Sequence, residues 1–252
     1  MGAPRRQKPL PWTLSDSEVH VWSVPLAVDP RRIDTLSMFL SATEHERAKS
    51  AMPRVREQFV VGRAAQRFLL TGYTGAHHAE LRYVVGEFGK PALAHGVEWR
   101  APEFSVANAE GLALIAVARW PVGVDLECIH PYPDAVQIAE RFFAPAESGE
   151  IQRLNGTARD LAFLRCWTRK EAYVKARGYG LSFALNQFTV DPVEDERPRR
   201  VRAAHPNADS VDWVVRGIRC EPGYVAALAY PYAAARVVQR TIAADWIDQF
   251  VG

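Results

Sequence analysis

Apolar residues recur along the chain with two different periods, which predict both strands and helices. Residues 19–24 alternate in character and are β-branched or aromatic, as is typical of a strand. Residues 44–71 have the helical period instead, with a break near Pro53. Further strands are predicted at residues 81–85, 104–108, 123–128, 188–190, 211–215 and 224–229, with an apolar run at 112–118. Further helices are predicted after Pro133 with Asp134 as N-cap, at 160–177 ending at Gly178, and at 243–250.

The order of the predicted elements divides the chain near residue 120. A strand, a helix and further strands occur on each side of this point. This order predicts an α+β fold of two similar halves, residues 19–119 and 120–252, the second of which carries the candidate metal ligands. Residues 1–18 contain three prolines and are predicted to be a loose leader, and the charged residues 192–210 are predicted to form a long exposed loop.

Composition and charge are ordinary for a globular protein. Of 252 residues, 48% are apolar and 24% are charged, and the net charge is +2 from 31 basic and 29 acidic side chains. Because the basic and acidic side chains are almost equal in number, the net charge does not indicate nucleic acid as a partner. No apolar run approaches the roughly 18 residues of a membrane span. The three cysteines, Cys128, Cys166 and Cys220, have no close spacing that indicates disulfides or zinc. These features predict a cytoplasmic protein without a membrane partner.

Two carboxylates alternate along the predicted strand 123–128, whose sequence is Gly-Val-Asp-Leu-Glu-Cys. Successive side chains of a strand point to opposite faces, so Asp125 and Glu127 share one face, roughly 6–7 Å apart. Two carboxylates at this separation can hold one hard cation. The alternative is the solvated face of an edge strand, which is the better explanation for an Asp-x-Glu motif considered alone.

Three further candidate site residues are spaced four positions apart on the predicted helix 160–177. Trp167, Glu171 and Lys175 share one face of this helix. Glu171 would complete a set of oxygen ligands for Mg²⁺, and Lys175 would contact a phosphate that the metal also holds. The alternative is a surface pair of Glu171 and Lys175, worth about 0.2–0.5 kcal/mol.

Basic side chains suited to phosphate occur in two further places. Lys90 lies in a Gly-Lys-Pro turn, which would hold its ammonium group on an exposed loop. An ordinary turn with a solvated lysine is the alternative. Arg56, Arg63 and Arg67 form a basic stripe on helix 44–71, opposite its apolar stripe.

The order and spacing of these motifs resemble the Sfp-type 4′-phosphopantetheinyl transferases. That family is marked by a G-x-D-x-E strand followed by a W-x-x-K-E-x-x-x-K helix, which correspond to residues 123–127 and 167–175. Residues 139–147 resemble the family's R-F-F-x-x-x-E segment, and residues 40–47 and 62–67 resemble its N-terminal helix. The resemblance extends from about residue 20 to about residue 230.

The resemblance implies an enzyme with its active site in the cleft between two similar halves. Its reaction would be the magnesium-dependent transfer of 4′-phosphopantetheine from coenzyme A to a serine of an apo acyl or peptidyl carrier protein, with release of 3′,5′-ADP. Asp125, Glu127 and Glu171 are implied to bind the Mg²⁺, and Glu171 and Lys175 to be catalytic, with Glu171 well placed to accept the serine proton. A monomer is expected.

The same resemblance assigns the coenzyme A contacts. Lys90 and Lys175 are implied to contact its phosphates, and Arg47 to reach the 3′-phosphate. Where family members read F-N-x-S-H-S-x-G, residues 104–111 read Phe-Ser-Val-Ala-Asn-Ala-Glu-Gly, so that Ala107 and Asn108 replace a serine and a phosphate-binding histidine. Asn108 can donate an amide hydrogen bond but adds no positive charge, which predicts weaker coenzyme A binding or a different arrangement of the phosphate contacts.

Three other interpretations compete with this one. A magnesium-dependent nuclease or phosphohydrolase also gathers carboxylates around metal ions, but it often uses a second metal. A carrier-binding protein without catalytic turnover is favoured only by Ala107 and Asn108. The short carrier-synthase type of transferase has chains about half this length that trimerise, so the length of the chain argues against it.

Overall fold

The computed structural model describes residues 12–94, 101–180, 183–192, 196–203, 211–231 and 235–251. The predicted α+β class is confirmed. The helices are α1 Ile33–Ser37, α2 Ala42–Lys49, α3 Pro53–Thr74, α4 Ala135–Phe142, α5 Pro145–Gln152, α6 Gly156–Arg177 and α7 Trp246–Val251. The strands are β1 Glu18–Pro25, β2 Tyr83–Val85, β3 Pro91–Leu93, β4 Glu103–Ala109, β5 Leu112–Ala118, β6 Gly123–Cys128, β7 Phe188–Thr189, β8 Arg199–Arg200, β9 Arg202–Ala203, β10 Val214–Ile218, β11 Tyr224–Tyr230 and β12 Arg236–Thr241.

One four-stranded sheet has the order β12-β1-β5-β4. β5 pairs antiparallel with both β1 and β4, and β12 pairs parallel with β1, so this sheet joins the start of the chain to its end. The 22-residue helix α3 packs on one face of it, where Val61 and Leu69 meet Ile115 in a buried core. Every residue of β5 is buried, because this strand has packed layers on both of its faces.

The second four-stranded sheet is antiparallel and has the order β6-β11-β10-β8. The other 22-residue helix, α6, packs on one face of it, with Phe163 and Val174 in the same buried core as Ala227. β6 is the edge strand of this sheet. The candidate carboxylates therefore lie at an edge and on the face that α6 covers.

The inner faces of the two sheets pack against each other. Leu114 of the first sheet and Leu228 of the second belong to one buried apolar cluster. The edge strands β4 and β6 are also joined directly, because the backbone N–H of Val124 donates to the Ser105 hydroxyl at 3.1 Å. The molecule is thus layered as helix, sheet, sheet and helix.

The elements with strong apolar patterns lie where the sequence predicts them. The helical pattern of residues 44–71 forms α2 and α3, which are separated near Pro53 as expected, and the strand predicted at 123–128 is β6. The prediction of one long exposed loop over residues 192–210 is wrong within its described part, which contains β8 and β9. The sequence patterns also missed four elements, α1, α5, β3 and β12.

The described helices include none that is long and apolar enough to cross a membrane. Of the predicted leader, residues 1–11 lie outside the described part of the chain. Trp12 packs against Trp22 with ring centroids 4.5 Å apart, and Leu14 is buried in the core under α3.

Candidate active site

Gly123 brings β6 and α6 into backbone contact. A Cβ atom at this position would lie 2.0 Å from the carbonyl oxygen of Ala172 and 2.4 Å from the backbone nitrogen of Ala176. Only glycine fits such an approach, because the atoms in the way are backbone and cannot rotate aside. Asp125 and Glu127 share the face of Gly123 and therefore point toward the same helix.

The alternation predicted along β6 is confirmed. Val124 and Leu126 are buried in the apolar layer between the two sheets, and Asp125 and Glu127 point the other way. Asp125 is only 5% exposed. The interpretation of this face as solvated is therefore wrong for Asp125, although β6 is an edge strand.

Lys175 neutralises one of the carboxylates. Its Nζ lies 2.6 Å from Oδ1 of Asp125, so the ion pair of Lys175 is with the strand and not with its helix neighbour Glu171. Oδ2 of Asp125 is buried and has no hydrogen-bond partner among the residues that the structure describes. A buried carboxylate oxygen without a partner is costly, and its presence points to a missing ligand.

All three carboxylates have raised pKa values. Burial raises the pKa of Asp125, and the opposing charge of Lys175 only partly offsets it. Burial, followed by the negative charge of Asp125, likewise raises the pKa values of Glu127 and Glu171. These groups repel one another in a poorly solvated place, an arrangement that a bound cation would relieve.

The donor set fits magnesium. The candidate ligands are carboxylate oxygens, the donors that Mg²⁺ prefers, and one of them, Oδ2 of Asp125, has no other partner within the described part of the chain. Within the described residues no group of three His, Cys, Asp or Glu side chains is already in place to hold a metal ion. The structure instead places the ammonium group of Lys175 on Asp125.

One cavity of about 410 Å³ is lined by Glu171 and by Lys175, the ion-pair partner of Asp125. Its lining comes from α2, α3, the β2–β3 hairpin, β4 and α6, and it therefore lies between elements that precede and follow residue 120. Five residues predicted from the sequence line it, namely Arg47, Lys90, Asn108, Glu171 and Lys175.

Lys90 is less free than a solvated turn lysine. Its side chain is 20% exposed, and its Nζ donates to the carbonyl oxygens of Val122 at 3.1 Å and Ala176 at 3.4 Å. Burial lowers its pKa. The expected turn is present, but the lysine on it joins the β2–β3 hairpin to the end of α6 beside the cavity.

The basic stripe predicted on α3 has two parts with different environments. Arg67 is buried, and its guanidinium pairs with Glu44 at 2.8 Å, so the idea of a continuous basic stripe is wrong at this position. Arg63 lines the cavity, as does Arg47, and the two guanidinium groups lie over the ring of Phe59 at 5.5 and 5.3 Å. The sequence pattern identifies Arg63 as part of a basic stripe but does not predict its place in the site.

The two residues that depart from the family pattern, Ala107 and Asn108, lie on opposite faces of β4. Ala107 is buried in the apolar layer between the sheets, away from the cavity. Asn108 is exposed and lines the cavity, where its side-chain oxygen lies near Gly62 of α3. Of the two substitutions, only Asn108 alters the surface of the cavity.

A second ion pair on α6 was not predicted. Lys170 Nζ lies 2.7 Å from Oε2 of Glu147, and it donates to the carbonyl oxygens of Leu185 at 2.8 Å and Phe188 at 2.7 Å. Glu147 in turn accepts from the backbone N–H groups of Ala144 and Val190. This pair links the segment 139–147 to α6, which explains structurally why both segments carry a charged residue.

A second cavity, of about 390 Å³, lies beside the first. It shares Glu171, Val174 and Gly180 with the first cavity. Its lining is largely apolar and aromatic, with Phe142, Trp167, Phe183 and Leu185. Glu171 is thus the one carboxylate of the three that lines both cavities.

Comparisons with known proteins agree on one family. Residues 121–229, which include β6 and α6, match the model of the 4′-phosphopantetheinyl transferase superfamily. The chain is 34% identical to the 4′-phosphopantetheinyl transferase HetI of Nostoc sp. (strain PCC 7120) over 69% of this chain and 75% of HetI. It is 32% identical to the putative 4′-phosphopantetheinyl transferase slr0495 of Synechocystis sp. over 77% and 76% of the two chains. It is 25% identical to Sfp of Bacillus subtilis over 58% and 61%.

Proposed function

The chain belongs to the 4′-phosphopantetheinyl transferase superfamily, and from that premise we propose its full reaction. It transfers the 4′-phosphopantetheine group of coenzyme A to a serine of an apo acyl or peptidyl carrier protein, releases 3′,5′-ADP, requires Mg²⁺ and acts as a monomer. The observation that carries this proposal is the single cavity lined by Arg47, Lys90, Asn108, Glu171 and Lys175.

Coenzyme A occupies the cavity of about 410 Å³ in this proposal. The pyrophosphate lies toward Lys175 and Lys90, and the 3′-phosphate lies toward Arg47. A cavity between elements from residues 19–119 and elements from residues 120–252 supports the cleft expected between two similar halves. Arg63 adds a second guanidinium group at the Arg47 end.

Asp125, Glu127 and Glu171 would hold the metal ion. When bound, Mg²⁺ would supply positive charge to the pyrophosphate and make the departure of 3′,5′-ADP easier. The unpartnered Oδ2 of Asp125 and the raised pKa values of the three carboxylates support this assignment.

Glu171 and Lys175 take the two catalytic roles. The carrier serine oxygen forms a bond to the β-phosphorus of coenzyme A, the bond from that phosphorus to the departing 3′,5′-ADP breaks, and the serine proton passes to Glu171. The position of Glu171 at the border of the two cavities supports this role, since an acceptor serine in the aromatic cavity and coenzyme A in the first cavity would both lie beside Glu171. Lys175 donates hydrogen bonds to phosphate oxygens.

A magnesium-dependent hydrolase is the competing reaction, and the relatives favour transfer because they are named as transferases. The discriminating experiment mixes the protein with coenzyme A, Mg²⁺ and a panel of apo-carrier proteins, followed by intact-protein mass spectrometry. We expect the phosphopantetheine mass increment on at least one carrier. The matched control is the same carrier with its acceptor serine changed to alanine, which must gain nothing.

A second arm of the experiment omits the carrier. We expect coenzyme A to survive incubation with the protein and Mg²⁺. Release of 3′,5′-ADP without a carrier would instead support the hydrolase. Absence of the mass increment from every carrier of the panel would contradict the proposed transfer.

A further inference from the structure

Lys175 has two candidate anionic partners, a carboxylate and a phosphate. Its ammonium group pairs with Oδ1 of Asp125 at 2.6 Å, yet Lys175 also lines the cavity proposed for coenzyme A. One lysine therefore serves a carboxylate in the present structure and would serve a phosphate in the complex. The two anions belong to different parts of the site, the metal ligands and the substrate.

The surroundings of Lys175 allow it to change partners. Its side chain is 33% exposed, and among the described residues the contact of its ammonium group is Asp125, with no backbone carbonyl beside it. The four-carbon stem of lysine is flexible, which allows its charge to swing between nearby anions. Nearby on the same helix, Lys170 is fully buried and is held by two carbonyl oxygens as well as Glu147.

A metal ion and the ammonium group compete for the same carboxylate. Mg²⁺ binds carboxylate oxygen at about 2.0–2.1 Å and keeps close to octahedral geometry. Two cations on one carboxylate in a poorly solvated site repel each other strongly. Asp125 is 5% exposed, so solvent cannot screen that repulsion well.

We infer that the Lys175–Asp125 ion pair is the metal-free state of this site, and that Lys175 moves to the coenzyme A phosphates when Mg²⁺ binds. This inference rests on the proposed magnesium dependence. It assigns Lys175 a second role, in which its ammonium group partly neutralises the carboxylates before the metal binds. Because displaced Lys175 needs a new anion, Mg²⁺ and coenzyme A each strengthen the binding of the other.

The first test measures Mg²⁺ affinity by titration calorimetry, without a carrier so that no transfer occurs. Lys175→Met removes the competing charge and keeps a similar length, whereas Lys175→Arg keeps the charge. We expect Lys175→Met to bind Mg²⁺ at least tenfold more tightly than the wild type in the absence of coenzyme A. Lys175→Arg should stay within about threefold of the wild type.

Addition of coenzyme A supplies the second readout of the same titration. In the wild type we expect coenzyme A to tighten Mg²⁺ binding, and in Lys175→Met we expect this enhancement to shrink several-fold. Equal or weaker Mg²⁺ binding by Lys175→Met in the absence of coenzyme A would overturn the inference, because an ammonium group that competes with the metal must weaken its binding.

A third measurement needs no substitution. Reductive methylation of the wild type, read by peptide mass spectrometry, reports how freely the Lys175 amine reacts. We expect Mg²⁺ alone to increase methylation of Lys175 and subsequent coenzyme A to suppress it. No change in labelling on addition of saturating Mg²⁺ would contradict the displacement of Lys175 from Asp125.

The outcomes also separate this inference from the proposed function. Failure of the wild type to bind Mg²⁺ at all would contradict both the magnesium dependence and the role of Lys175. Binding of Mg²⁺ that is lost in Asp125→Asn but unchanged in Lys175→Met would leave the proposed metal site intact and overturn only the competition by Lys175.

Discussion

Two lysines on α6 form ion pairs with opposite properties. Lys170 and Glu147 are 0% and 3% exposed, and both are also bonded to backbone groups. Lys175 is 33% exposed, and its partner Asp125 retains an oxygen to which no described group donates a hydrogen bond. We call the Lys170–Glu147 pair complete, because backbone groups bond to both of its members. We call the Lys175–Asp125 pair open, because Lys175 lines a cavity.

The difference between the two ion pairs distinguishes a role in folding from a role in activity. A buried ion pair is tolerated when further hydrogen bonds satisfy each member, and removal of one member is then strongly destabilising. A carboxylate that remains unsatisfied next to other carboxylates costs stability and is expected where a ligand binds. The pair of Lys170 should therefore govern folding, and the pair of Lys175 should govern activity.

Substitution in the open site should have the largest effect. Glu171→Gln keeps the shape of the side chain but removes the proposed proton acceptor and one proposed metal ligand, so we expect the transfer rate to fall by about 10²- to 10⁴-fold. The thermal midpoint should stay close to that of the wild type. A carrier mass-shift assay and circular dichroism measure the two quantities. Near-normal turnover of Glu171→Gln would remove Glu171 from the mechanism.

The matched change in the complete pair is Glu147→Gln, which should act on stability. An unpaired Lys170 in a fully buried position is expected to cost about 3–5 kcal/mol in the free energy of unfolding. Urea denaturation measures this cost, and the folded fraction should retain near-normal turnover at saturating substrate. If Glu147→Gln instead lowered turnover without loss of stability, the division of roles between the two pairs would be wrong.

The stability of the metal-free protein should depend on Asp125 and on pH. Burial raises the pKa of Asp125 above its ordinary value of 3.8, so the stability it contributes in the protonated form is lost as pH rises through the raised pKa. In a chelator at pH 7 we expect Asp125→Asn to be more stable than the wild type by about 1 kcal/mol. Thermal unfolding from pH 4 to pH 8 should show the difference shrink toward low pH.

The buried His20 also makes stability depend on pH, but in the direction opposite to Asp125. Burial, with a smaller contribution from Arg240, lowers the pKa of His20 to about 4, so its contribution is lost as pH falls from about 6.5 toward 4. His20 is present in both proteins and cancels in their difference. A wild type that remains more stable than Asp125→Asn throughout the series would show that Lys175 fully compensates the buried carboxylate.

The smallest effect is expected at the phosphate end of the cavity. Asn108→His would add a group that can carry positive charge where Asn108 is exposed. We expect coenzyme A to bind about two- to tenfold more tightly at pH 6, where the imidazole is charged, and less so at pH 8. Titration calorimetry with coenzyme A measures both affinities. Equal affinities for the two proteins at pH 6 would exclude a phosphate contact at this position.

The sequence predicted the parts of the fold and site that depend on local periodicity. Alternation along β6 predicted the shared face of Asp125 and Glu127, and the helical period predicted the shared face of Trp167, Glu171 and Lys175. The α+β class followed from the order of such segments. Strong local patterns are predictable because they arise from the backbone geometry of a single element.

Features that depend on distant partners were not predictable. Nothing local to Lys170 or Glu147 indicates that they pair, since 23 positions separate them and both residue types are usually exposed. β12 has a mostly exposed, charged sequence and is a strand because it pairs with β1. Lys90 looks like a turn residue, but the fold brings carbonyl oxygens of Val122 and Ala176 to its ammonium group.

Gly123 has a consequence for how this enzyme can vary. Because backbone atoms meet backbone atoms at this point, the closest approach of β6 to α6 is set by the main chain and not by a side chain. We therefore expect substitutions elsewhere in the surrounding core to change the space between the carboxylates of the strand and Glu171 only slightly. The absence of one methyl group thus makes the spacing of the proposed site carboxylates less sensitive to sequence change in the rest of the domain.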